Sequence, residues 1–108
     1  MPQADIRYSN DLDLNCEKLL SEIEETIKKH DQSSGACKGR AYKADHFHHT
    51  HIYVNLAMLP KAHRDKAFTD ALIKSLEEMI KSHLTQSCHF SLNVEYIGDG
   101  YITNFHEV

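Results

Sequence analysis

One backbone nitrogen, three cationic side chains and a run of histidines in this sequence have the types and spacing to do chemistry. Pro2 follows Met1. If Met1 is cleaved, the Pro2 nitrogen becomes a secondary amine instead of an amide, and its ring holds φ fixed. An amine of that kind titrates near pH 8, so about a tenth is free base at pH 7. Burial or neighbouring cations lower that value towards the range suited to proton transfer. The plainer reading of Pro2 is the start of an edge strand. Lys38 and Arg40 stand two apart and share one face of an extended segment. Arg64 falls at the expected head of a helix, where the dipole favours anions over cations. A guanidinium there suits an anion held beside helix amides, and its fork matches the two oxygens of a carboxylate.

His46, His48, His49 and His51 crowd into six positions. If that stretch is extended, His46 and His48 share one face, and His49 and His51 the other. Imidazoles two apart on a strand can hold zinc, copper or nickel, with Asp45 as a further ligand. No HExxH or Cys/His finger spacing supports a metal centre, so the expectation is no metal and no cofactor. Cys37, beside Lys38, is a weaker candidate for an activated thiol.

These residues need a scaffold. Ala4, Ile6 and Tyr8 alternate with Asp5 and Arg7, a short strand. Asp13 or Asn15 begins a helix carrying Cys16, Leu19, Leu20, Ile23 and Ile27 on one side. Gln32 to Gly35 is a turn. A second strand is expected from about Cys37 to Asp45 and a third from about Thr50 to Met58. Pro60 suits the start of a helix reaching Leu84. Phe90, Leu92, Val94 and Tyr96 mark a fourth strand. Gly98-Asp99-Gly100 is a turn, and Tyr101 to Phe105 reads as a short final strand or arm. The order is β-α-β twice, with crossovers long enough for parallel strands. The expected class is α+β: a four-stranded sheet with two helices on one face. His51, Tyr53, Asn55 and Ala57, with His89, Ser91, Asn93 and Glu95, leave the other face semi-polar, fit for a subunit interface or a filled barrel lumen.

The 108 residues suit a single domain, 1–108, with a modest core. A formal charge of −4 argues against nucleic acid as a partner. No apolar run approaches membrane-spanning length. The first residues lack the apolar stretch of a signal peptide, and a cytoplasmic location is expected. Cys16, Cys37 and Cys88 are an odd number without CxxC spacing and read as reduced thiols.

Taken in order, MPxxxxxYSxDL, CKGRAYKAD, HIYVNLAM, HRDKAFTDALIKSLEEMIKSHL and FSLNVEYI resemble the 5-carboxymethyl-2-hydroxymuconate isomerases, a branch of the tautomerase superfamily. The resemblance spans nearly the whole chain. It implies a homotrimer around a barrel-like core. It also implies a cofactor-independent isomerase acting on an unsaturated di- or tricarboxylate from aromatic-acid breakdown. Pro2 would be the base and Arg40 the group that holds a carboxylate or polarises a carbonyl. Lys38 and Arg64 would bind other carboxylates, and His49 matches a histidine ahead of the family's third strand. The chain departs from the family where Lys38 replaces an arginine, where the stretch from Asp45 to Ile52 is short and histidine-rich, and after Ile97. The competing reading is a non-catalytic protein that binds a small molecule or metal on the same trimeric scaffold.

Overall fold

The computed structural model describes residues 1–108. Strand β1 (Gln3–Ser9) is followed by helix α1 (Cys16–His30) and strand β2 (Lys38–Ala44). Strand β3 (His51–Met58), helix α2 (Lys66–Ser82) and strand β4 (His89–Tyr96) repeat the pattern. The sheet order is β2-β1-β3-β4. Each half forms a parallel pair, and the halves join through antiparallel β1 and β3. This is the α+β architecture expected from the sequence.

Period-two alternation sets which face is buried. Ala4, Ile6 and Tyr8 of β1 and Ile52, Val54, Leu56 and Met58 of β3 point towards the helices. Leu19, Ile23 and Ile27 of α1 and Leu72, Leu76 and Ile80 of α2 meet them, completing most of a core of 14 residues. Asn15 caps α1 by accepting from Lys18 N at 3.2 Å. Lys28, Lys29 and His30 close its last turn, where the dipole favours cations. Gly39 lies in close approach to α1. A Cβ there would lie 2.6 Å from Leu20 Cδ2, because α1 lies directly on β2 at that point.

Three boundaries differ from the sequence reading. Helix α2 begins at Lys66, not at Pro60, because the Asp65 side chain caps Phe68 N at 2.9 Å. Residues 45–50 are bends, so the alternating-face reading of His46, His48 and His49 does not apply. Tyr101 to Phe105 pairs with no strand and is an extended arm.

The molecule measures 39 × 38 × 23 Å, the thickness of one sheet plus one helix layer. Its uncovered sheet face is semi-polar, with Tyr42 and Tyr53 exposed on it. Strand register sets Lys38, Gln3, Ala57 and Glu95 in one row, and Arg40, Asp5, Asn55 and Asn93 in the next. No helix is long and apolar enough to cross a membrane.

The two halves also match in detail. β1 and β2 open their ladder at Gln3 and Lys38; β3 and β4 open theirs at His51 and His89. Just before each pair, Lys38 N donates to Pro2 O and His89 N to Thr50 O, both at 3.0 Å.

Candidate active site

The start of β1 lies beside the start of β2, and this places Pro2 next to Lys38. Pro2 is fully buried. Met1 reaches over it into a hollow: its Sδ is 3.1 Å from Lys38 Nζ and 4.0 Å from Thr103 Oγ1. Gly35 forms another wall, since a Cβ there would come within 2.9 Å of Met1 Cγ. Lys38 Nζ also donates to Ala36 O at 3.2 Å. Lys61 donates to the carbonyl and hydroxyl of Ser33, each at 3.3 Å.

The chain's first amine feels this setting. Burial holds its pKa below the ordinary value, and the charges of Lys38, Arg64 and Lys61 lower it further, while Cys37 pulls weakly the other way. In the chain that carries Met1, this amine belongs to Met1 and the Pro2 nitrogen is an amide.

Arg40 lies one pleat further along β2 on the open face, and its Nη1 donates to Gln3 Oε1 at 2.8 Å. Gln3 Nε2 in turn reaches Tyr101 OH at 3.5 Å, so the C-terminal arm crosses the same corner.

Arg64 is not in the first turn of α2. It precedes the cap and folds back into the protein, with a buried guanidinium. Its Nε and Nη2 donate to Asp31 Oδ2 at 2.9 and 2.8 Å, and Nη1 to Leu59 O at 2.7 Å. His63 Nε2 meets the same Asp31 oxygen at 2.8 Å. Ser33 N and Oγ donate to Oδ1 at 3.0 and 2.5 Å. Burial pushes the Asp31 carboxyl up, but the hydrogen bonds from Ser33, His63 and Arg64 outweigh it and hold the group well below the usual carboxylate range. Arg64 therefore contributes charge to the hollow from a fixed position, with most of its donors already committed.

The fold gathers Pro2, Lys38, Arg40 and Arg64 at one end of the sheet. His49 stands apart. The β1–β3 register carries it beyond Ile52, which pairs with Tyr8, at the far end of β1. That is on the order of 25 Å along the strand direction. Cys37 is no activated thiol: burial first, then Glu24, pushes it up to about 11 despite Lys38 and Arg40. Sequence reasoning missed Asp31, Ser33 and Lys61. The lysine between Pro60 and Arg64 was a visible signal; the Asp31 partnership depends on tertiary contact.

No family model matches the chain, and no curated protein matches it closely. Solved structures do. A 5-carboxymethyl-2-hydroxymuconate delta-isomerase aligns with a TM-score of 0.80 at 18% identity, over 98% of this chain and 89% of the other. A 5-carboxymethyl-2-hydroxymuconate isomerase from Deinococcus radiodurans R1 gives 0.68 at 16%, over 97% and 90%. A fused 4-OT described as a symmetric trimer gives 0.76 at 11%, over 98% and 94%. At these identities the likeness is one of fold, and the chain has the tautomerase-like fold that the sequence resemblance implied.

Proposed function

We propose that the chain is a cofactor-independent isomerase or tautomerase acting on an unsaturated keto or enol di- or tricarboxylate of the 5-carboxymethyl-2-hydroxymuconate kind. The observation that carries this reading is the chain's first amine, set where β1 begins beside Lys38 and held low by burial and by the charges of Lys38, Arg64 and Lys61. With Met1 removed, the amine is that of Pro2, and the space between Gly35, Lys38 and Thr103 opens to a substrate.

The Pro2 nitrogen takes a proton from the carbon next to the enol or keto group and becomes an ammonium. The electron pair left behind moves through the conjugated system. The same ammonium returns the proton at another carbon, and the amine is restored. Arg40 holds a carboxylate or stabilises the oxygen on which charge develops. Lys38 binds a second carboxylate as a point charge, and Arg64, buried against Asp31, acts through its charge by keeping the amine weakly basic. The active form is a homotrimer whose polar sheet faces enclose a common core, as the resemblance implies. The pathway is aromatic-acid breakdown, in the cytoplasm.

The test is an ultraviolet screen of 2-hydroxymuconate-type and enolpyruvate-type acids, after mass spectrometry of the purified protein. Turnover by the Met1-trimmed chain that falls by at least about 10²-fold in Pro2→Ala supports the reading. A chain that keeps Met1 and turns over none of these acids favours the binding protein on the same scaffold, and undiminished turnover in Pro2→Ala removes Pro2 as the base.

A further inference from the structure

The match between the two halves predicts a counterpart to the Pro2 hollow. Lys38 corresponds to His89, Pro2 to Thr50 and Met1 to His49, because the paired ladders start at equivalent residues. Cys37 and Cys88 each precede the second strand of their half. A cavity of about 320 Å³ sits at that equivalent place, lined by His49, Thr50, Ser87, Cys88 and His89. It lies at the opposite end of the sheet from Pro2.

We propose that this hollow is a second ligand site, which binds the carboxylate end of a small organic acid. Every residue lining it has a side chain able to donate a hydrogen bond, and none is acidic. The His49 and His89 rings face each other edge to face with centroids 5.8 Å apart, and His48 lies 4.0 Å from His49. His49 adopts a left-handed backbone, φ 66°, unusual outside glycine and concentrated at functional sites. Its carbonyl meets His51 Nδ1 at 2.8 Å, which steadies this backbone turn. The Thr50 hydroxyl is taken by Asp11. That leaves the two imidazoles, Ser87 and the Cys88 thiol for the ligand. Asp11, bonded to Thr50, puts one negative charge near the rim and works against an anion there. No group of three His, Cys, Asp or Glu side chains converges on one point as a metal ion needs. The donor set therefore fits an anion. The site stands whether or not Pro2 is a base.

The experiment is an NMR titration of the full chain, with histidine rings isotopically labelled, against succinate. The His49 and His89 signals should move together and saturate. His49→Gln should abolish the shift at His89, and His89→Gln that at His49. Both residues are exposed in the single chain, and the signals of the other seven histidines report whether each variant keeps its fold and assembly. Lys38→Ala should leave the response intact. No saturable shift overturns the proposal, as does a response lost in Lys38→Ala. Equal shifts with inorganic phosphate would overturn the carboxylate assignment, and shifts with zinc alone would make it a metal site instead.

Discussion

Lys38 Nζ lies 3.1 Å from Met1 Sδ, so the side chain that would face a substrate carboxylate now rests on the residue whose removal would free Pro2. The ammonium and the amine are coupled through that space, and the pKa of the amine should respond to each cation near it. Lys61→Ala removes one of the three cations that lower it. The amine should then titrate at higher pH, and the rising limb of the pH–activity profile should move up with it. An NMR titration of labelled Pro2, beside the pH–rate profile, checks both. A profile that moves down would contradict the arrangement.

Arg40→Ala should lower kcat/KM for a dicarboxylate by about 30- to 100-fold, the size of a lost hydrogen bond between charged groups. Gln3 is the only hydrogen-bond partner of its side chain, so the fold should tolerate the change. Thermal melting and steady-state kinetics on the same preparation separate the two effects.

Asp31 links acid sensitivity to the buried Arg64. Its carboxyl is depressed in the folded state, so its stabilisation is complete above the ordinary carboxylate pKa of about 3.9 and is lost as pH falls below that. Asp31→Asn should cost about 3–5 kcal/mol at pH 7, because it leaves Arg64 buried without its anion. Urea unfolding at pH 7 and pH 3 should show the gap between wild type and variant narrowing in acid.

With its pKa pushed up to about 11, Cys37 carries roughly a thousandth of its population as thiolate at pH 8. Iodoacetamide should label it on the order of a hundredfold more slowly in the folded chain than in urea, where the pKa returns to about 8.5. Peptide mapping over a time course reads the ratio.

Gly39→Val should destabilise by about 1–2 kcal/mol, since the new side chain would displace the end of Leu20. Leu20→Ala in the same chain should recover part of the loss, a coupling that a double-mutant cycle in urea measures.

The strands and helices were readable because the periodicities of 2 and 3.6 are written in the apolar residues themselves, as in Ile52, Val54, Leu56 and Met58. Both cap-bearing starts were nearly so: Asn15 was one of two candidates, whereas Pro60 drew attention from Asp65, the residue that bonds Phe68 N. Lys38 and Arg40 share a face because β2 obeys simple alternation. Arg64 was misplaced because its partner, Asp31, is 33 residues away and no local pattern announces the pair. His49 could not be assigned an end of the sheet until the antiparallel β1–β3 register was known.

Both outer strands, β2 and β4, keep a free edge. The β2 edge carries Lys38 and Arg40 on the open face; the β4 edge carries Glu95. Joining two copies by like edges sets charge against like charge. Joining β2 of one to β4 of the next sets unlike against unlike, and such a head-to-tail contact must either close on itself or run on as a filament. Oppositely charged rims thus favour head-to-tail contact between copies over contact between like edges.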